Sequence, residues 1–204
     1  FAFGFGLFGA GVSWVFVALE TFGGMPAPVA VMAAAGFVAY LALWPALAGW
    51  VVVRATPPQS VARLLAAAAA WTLAEWLRGF VFSGFPWLSM GYAELLPGGA
   101  LPLGGYAPVG GVFLVSLAVA LCAACVAGIV TALANAQPRR IVACLAGITV
   151  IMAVGAALTR ITWTTPAGEP VAISLVQGNV SQAQKFDPAF RPRNFELYDT
   201  LVTL

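Results

Sequence analysis

Residues 107–134 read APVGGVFLVSLAVALCAACVAGIVTALA, and none of their side chains is charged. A helix of about 20 apolar residues crosses the hydrocarbon core of a bilayer, because a helix satisfies its own backbone polar groups there. Other stretches of the chain have a similar length and composition. The sequence therefore predicts a polytopic α-helical membrane protein with about five transmembrane spans, at 1–21, 28–53, 60–82, 107–134 and 141–159.

The composition of the whole chain agrees with a lipid environment. Hydrophobic residues make up 62% of the chain and charged residues 8%, whereas roughly a quarter of a soluble domain is charged. The net charge is only +2 and no basic run is present, so nucleic acid is not an expected partner. The sequence has no histidine, which excludes Ser-His-Asp and Cys-His catalysis within these residues. No metal or cofactor is expected.

The arginines predict an orientation. Two flank the second connection between spans and two fill the fourth, at Arg54, Arg63, Arg139 and Arg140. The positive-inside rule places these two connections in the cytoplasm. The first connection, the loop from Ser83 to Tyr106 and everything after Arg160 then lie on the far side.

The composition changes at Arg160, which divides the chain into a transmembrane domain at 1–160 and the start of a soluble domain at 161–204. Residues 171–176 are β-rich and predict a strand, and 177–179 predict a turn. Apolar residues then recur at helical spacing, at Phe195, Tyr198, Leu201 and Val202. Some 40 residues do not bury a core unaided, so we expect the rest of this domain beyond Leu204. We also expect sequence before Phe1.

Glu75 and Arg78 are the most informative charges in the membrane region. They lie three apart on one helix face, and each alone would cost roughly 2.5 to 3.5 kcal/mol at the bilayer centre. We predict a structural ion pair, and the alternative is a polar site for a lipid headgroup. The loop that follows, SGFPWLSMGY at 83–92, either rests in the interface as an aromatic belt or lines a lipid entry.

Two short motifs do not predict a site. Residues 4–9 match G-x-G-x-x-G, but no strand precedes them, so we interpret their glycines as small residues for close helix packing. Cys122 and Cys125 have redox or metal spacing, yet they lie within a span with no other ligand type nearby. We interpret them, and Cys144, as inert thiols in helix packing.

Several separated blocks of this sequence resemble one family. They are FGFG at 3–6 with GVSWV at 11–15, TFGGMP at 21–26, EWLRG at 75–79 with GFPW at 84–87 and GY at 91–92, AP at 107–108, and SLVQGN at 174–179 with Gln182 and Lys185. In this order they closely resemble bacterial apolipoprotein N-acyltransferases, over essentially the whole chain.

The resemblance implies a membrane domain that carries a nitrilase-like α-β-β-α domain on the periplasmic side of the inner membrane. It implies transfer of an acyl chain from a phospholipid donor to the N-terminal diacylglyceryl-cysteine of a lipoprotein, through a Cys thioester. A Glu would act as general base and a Lys would stabilise the oxyanion. The resemblance places all three beyond Leu204, so Lys185 and the three cysteines are not the catalytic residues. The residues 1–204 alone are expected to be inactive.

We expect the substrate-binding residues of this chain on the far side of the membrane, at Arg78, Phe85, Trp87, Tyr92 and Phe186. Many family members carry Trp where this chain has Phe186, and Pro often stands in place of Ser181. Phenylalanine keeps the ring but lacks the indole N–H. Two alternatives remain open: a non-enzymatic membrane transporter or scaffold, and a related nitrilase-like membrane enzyme with another acyl acceptor.

Overall fold

The structure is a computed structural model that describes residues 1–96, 99–185 and 187–203. Helices dominate this part of the chain, as expected for an α-helical membrane protein. They are α1 (Ala2–Gly11), α2 (Trp14–Val17), α3 (Ala27–Ala55), α4 (Val61–Arg78), α5 (Ala107–Ala134), α6 (Pro138–Leu158), α7 (Gln182–Lys185) and α8 (Arg191–Thr203). Two-residue strands, β1 (Leu95–Leu96) and β2 (Gly99–Ala100), pair antiparallel.

The number of spans differs from the predicted five. Three helical stretches are long and apolar enough to cross a membrane, at Ala27–Ala55, Pro102–Ala134 and Pro138–Leu158. A fourth is added if the bent pair Ala2–Gly11 and Trp14–Phe22 forms one span. The predicted span 60–82 is shorter than expected because α4 ends at Arg78, and its 18 residues include three ionisable ones. The five-span count is therefore not confirmed.

The predicted first span, 1–21, is bent by 53° between its two helical pieces. Helix α1 ends at Gly11, where an added Cβ would overlap the side chain of Leu88. Just beyond it, the Ser13 hydroxyl donates to the Ala10 carbonyl oxygen at 3.4 Å. Glycine and back-bonding serine residues are common at helix kinks, because they weaken the regular hydrogen-bond ladder, and Gly11 and Ser13 stand on either side of Val12 here.

Helix α3 begins after Pro26 and ends before Thr56, close to the predicted 28–53. It contains Pro45, which has no N–H to donate to the preceding turn. Helix α1 crosses α3 at this point: a Cβ on Gly4 would lie 3.1 Å from Ala42 Cα. Close helix packing is therefore confirmed for Gly4, whereas Gly6 has nothing within 4 Å.

Two hydrogen bonds fix which connections share an end of the bundle. Arg140, in the first turn of α6, donates from Nη1 to the carbonyl oxygen of Gln59 in the connection between α3 and α4. Further along α6, about two turns before its end, the carbonyl oxygen of Ile151 accepts from the Tyr106 hydroxyl at 2.9 Å. The second and fourth connections thus lie together, as the distribution of arginines predicts.

The region after Arg160 follows the prediction in part. The predicted helix is confirmed as α8. The predicted strand at 171–176 is not confirmed, because no strand in the described residues pairs with it and its apolar side chains are largely exposed. The turn after it contacts α8, since a Cβ on Gly178 would lie 2.7 Å from Tyr198 Cζ.

Candidate functional site

The last turns of α4 carry two ionisable side chains into the protein interior. Glu75 is 3% exposed and Arg78 2% exposed, while Trp76 between them is 48% exposed. The spacing of three puts both charges on one helix face. Buried charges require partners, so the groups that surround them define what this face does.

The Glu75 carboxylate joins α4 to the loop that follows it. Its Oε1 accepts from the indole Nε1–H of Trp71, one turn earlier on α4, at 2.9 Å. The same oxygen accepts from the backbone N–H of Met90 at 3.0 Å. Hydrogen bonds to an ionised acceptor are stronger than neutral ones, so this carboxylate holds Met90 close to the helix.

Arg78 binds the other part of the same loop, residues 83–92, which we call the aromatic loop. Its Nη1 donates to the carbonyl oxygen of Phe85 at 2.9 Å and to that of Trp87. Its guanidinium carbon lies 5.0 Å from the centre of the Phe8 ring, a cation–π distance. The guanidinium therefore links the loop to α1 as well as to α4.

The predicted ion pair is not formed as a direct contact. Glu75 and Arg78 are both described by the structure, yet each bonds to different groups and no salt bridge joins them. The opposite charges still attract through space. The loop supplies partners to both side chains instead: two of its carbonyl oxygens accept from Arg78, and one of its N–H groups donates to Glu75. Arg78 is buried, and the predicted substrate contact at this residue stays a prediction.

Further contacts hold the aromatic loop against α4 and α5. The N–H of Phe85 donates to the carbonyl oxygen of Arg78 at 2.8 Å, and that of Gly91 to Ser116 Oγ at 2.9 Å. Gly91 lies so close to α5 that an added Cβ would overlap the carbonyl oxygen of Val112.

Left-handed backbone conformations recur along this segment, with φ of 52° at Phe82, 69° at Ser83 and 60° at Leu88. Each costs on the order of 1 to 3 kcal/mol and persists only when its surroundings impose it. Hydrogen bonds between neighbouring loop residues and the side chains of Glu75, Arg78 and Ser116 are the constraints that the structure shows. The loop is thus attached to α4 and α5 between Phe85 and Gly91.

The loop's aromatic rings separate into a packed and an exposed set. Phe85 is half-buried and packs edge-on to Phe37 of α3, with ring centres 4.9 Å apart. Trp87 is 51% exposed and its ring lies 5.4 Å from that of Trp14. Tyr92 is 59% exposed. The structure therefore presents Trp87 and Tyr92 at the surface and packs Phe85 against α3.

The predicted site residues are thus only partly brought together. The aromatic loop carries Phe85, Trp87 and Tyr92. Arg78 donates hydrogen bonds to its backbone carbonyl oxygens. Phe186 lies outside the described residues. Lys185, at the end of α7, lines a polar cleft between α7 and α8, with Gln177 and Tyr198. The free cysteines lie on α5 and α6, away from the loop.

Sequence reasoning missed two residues that hold the loop. Trp71 stands four residues before Glu75, the helical spacing at which two side chains meet, so the pair was readable from sequence. Ser116 is fully buried within α5, where an isolated polar residue in an apolar helix is a signal that it has a partner. Its partner, the N–H of Gly91, carries no sequence signal.

Comparison with known proteins gives one consistent result. Residues 1–125 match the sequence model of the apolipoprotein N-acyltransferase N-terminal domain. Proteins named apolipoprotein N-acyltransferase are similar along nearly the whole chain: 45% identical over 99% of it in Nitrosomonas europaea, 42% over 97% in Methylococcus capsulatus and 39% over 94% in Vibrio cholerae.

The chain spans 39%, 38% and 36% of the length of these three relatives. Its match to the N-terminal domain covers all of α1 to α4, the aromatic loop and most of α5, the elements that form the site described above. The chain therefore belongs to the apolipoprotein N-acyltransferase family.

Proposed function

We propose that the protein containing this chain transfers an acyl group from a phospholipid to the N-terminal diacylglyceryl-cysteine of bacterial lipoproteins. The observation that carries the proposal is the 45% identity over 99% of the chain to a relative named apolipoprotein N-acyltransferase. The hydrogen-bond network around Glu75 and Arg78 also supports it, because this network lies within the matched N-terminal domain and attaches the aromatic loop to α4. The transporter and scaffold alternatives receive no comparable support.

The chemistry proceeds in two acyl transfers. A cysteine thiolate attacks an ester carbonyl of the phospholipid; the C–S bond forms, the ester C–O bond breaks and lysophospholipid leaves with a proton. The free α-amino group of the lipoprotein then attacks the thioester, forms an amide and returns the thiol. A Glu serves as general base and a Lys stabilises the oxyanion. We assign all three to sequence beyond Leu204.

The part assigned to this chain is capture of the donor. Trp87 and Tyr92 present exposed rings on a loop whose backbone accepts hydrogen bonds from Arg78. An aromatic ring with a polar edge is favoured at the boundary between lipid and water. In this proposal these two rings, together with that of Phe186, contact acyl chains that leave the outer half of the bilayer.

The remaining assignments follow from the same proposal. Residues 1–160 form the membrane domain in the inner membrane, and 161–204 begin a periplasmic nitrilase-like domain. Val171, Ile173 and Leu175 are 80%, 78% and 93% exposed at alternating positions. Such a row of apolar side chains is expected to pack against further structure.

The test uses the full-length protein in vesicles that contain phosphatidylethanolamine, with a diacylglyceryl-cysteine peptide as acceptor. We expect a peptide heavier by one acyl chain, attached through an amide. Substituting the nucleophilic cysteine by Ser serves as the control and should abolish thioester formation. Folded protein that leaves the peptide unchanged, in the presence of both substrates, contradicts the proposal.

A further inference from the structure

Two buried polar atoms, on residues that line the same cleft, have no hydrogen-bond partner among the described residues. They are the indole Nε1 of Trp44 on α3 and the Oε2 oxygen of Glu75 on α4. Glu75 is only 3% exposed, and its other oxygen already accepts two hydrogen bonds. An unpaired buried polar group costs about 1 to 3 kcal/mol, so a partner is expected for each.

The chemistry of the two atoms restricts what binds them. An indole N–H only donates, and a carboxylate oxygen only accepts. A single group that satisfies both must accept one hydrogen bond and donate another. An ammonium group has no acceptor and a phosphate is repelled by the carboxylate, whereas water does both.

The size of the cleft points to the same ligand. Its walls are mostly apolar, with Leu7, Phe8, Pro45 and Leu88 around the two polar residues and Arg78. The volume of this cleft that the centre of a water molecule could occupy is about 10 Å³. A volume of roughly 10 to 15 Å³ for the centre of a water molecule is enough for one water, provided that two or more polar groups bind it.

We propose that one water molecule binds between Trp44 Nε1 and Glu75 Oε2 and bridges α3 to α4. The bridge continues through Oε1 of Glu75 to the N–H of Met90. It therefore connects α3, next to Pro45, to the aromatic loop. The water is a structural ligand of the membrane domain, and its binding does not depend on the acyl-transfer chemistry.

The test is a double-mutant cycle on the purified full-length protein, with Trp44→Phe, Glu75→Ala and the double variant, followed by unfolding in SDS-containing mixed micelles. Trp44→Phe removes the donor and keeps an aromatic ring. We expect the two changes to be coupled by about fivefold in the unfolding equilibrium constant, the size of one net hydrogen bond. Trp50→Phe, on the exposed face of α3, is the matched control and should show no coupling with Glu75→Ala.

Infrared difference spectra in water and in ¹⁸O-labelled water identify the bridging group. We expect an isotope-sensitive O–H band in the wild-type protein that is absent in Trp44→Phe and retained in Trp50→Phe. Additive effects of Trp44→Phe and Glu75→Ala would overturn the proposal. Coupling without an ¹⁸O-sensitive band would also overturn it, because the two side chains would then bond directly.

Discussion

Glu75 and Met90 are joined across fifteen residues of sequence by a hydrogen bond of 3.0 Å from the Met90 N–H to the Glu75 carboxylate. Together with the bonds from Arg78 to the loop carbonyls, it fixes the backbone between Phe85 and Met90 at both ends. The two charges therefore shape the aromatic loop from inside the bundle. We expect both side chains to position the loop, and substrate binding by Arg78 stays a prediction.

Replacing the carboxylate tests whether its hydrogen bonds are what matters. Glu75→Ala leaves the N–H groups of Trp71 and Met90 without an acceptor, and we expect a loss of about 2 to 4 kcal/mol in unfolding free energy. Glu75→Gln keeps an amide oxygen in the same place and should cost about 1 kcal/mol. Unfolding of the full-length protein in SDS measures both. Equal losses in the two variants would show that the charge, and not the acceptor, is needed.

Replacing Arg78 tests the hold on the other part of the loop. Arg78→Ala leaves the carbonyl oxygens of Phe85 and Trp87 without this donor, so local opening should become easier. We expect amide hydrogen exchange across residues 85–91 to accelerate by at least about tenfold. Arg54→Ala is the control, because its guanidinium lies over the ring of Trp50 instead. Unchanged exchange in Arg78→Ala would contradict a positioning role.

A glycine pair tests the contact between the loop and α5. Gly91→Ala forces a methyl group into the Val112 carbonyl oxygen and to within 3.1 Å of the Ser116 N–H, which should cost about 1 to 3 kcal/mol. Gly6→Ala, on α1 with nothing within 4 Å of the added carbon, should be neutral or stabilising, because Ala favours helix. Thermal melting of both variants provides the comparison. A tolerated Gly91→Ala would show that the loop moves away from α5.

Much of the membrane fold was predictable because it depends on local composition. The bounds of α3 and α5 follow from runs of apolar residues, and Pro28 lies in the first turn of α3, where its missing N–H breaks no helical hydrogen bond. The glycine and serine near the bend after Gly11 are visible in the sequence, whereas the contact of Gly11 with Leu88, far away in sequence, is not. The strand at 171–176 shows the same limit, since pattern alone does not provide a neighbouring strand.

The site was half predictable for a similar reason. The sequence shows that Glu75 and Arg78 share a helix face, and two opposite charges on one face indicate a pair. It does not show that a loop returns its own carbonyl oxygens and N–H groups to that face. Backbone groups carry no sequence signal, so the partners of these charges, at Phe85, Trp87 and Met90, appear only in the structure.

Labelling tests the orientation. In a full-length variant without other cysteines, we expect single cysteines at Gly24 and Tyr92 to react with a membrane-impermeant thiol reagent in whole cells. A cysteine at Gln137 should react only after the membrane is opened. All three positions are exposed in the structure, so burial does not obscure the result, whereas Ser89 is only 5% exposed and is unsuitable. Labelling at Gln137 alone would invert the orientation.

The most direct test of donor capture by the aromatic loop is the rate of thioester formation by the full-length protein carrying Trp87→Ala, measured against phospholipid concentration. Truncating an exposed ring that contacts acyl chains weakens donor binding, so we predict a loss of about tenfold at limiting phospholipid, with most of the rate recovered at high donor concentration. Trp76→Ala, another half-exposed tryptophan, on the outer face of α4, should match the wild type. Wild-type rates in Trp87→Ala at limiting phospholipid would contradict the claim that the aromatic loop captures the donor.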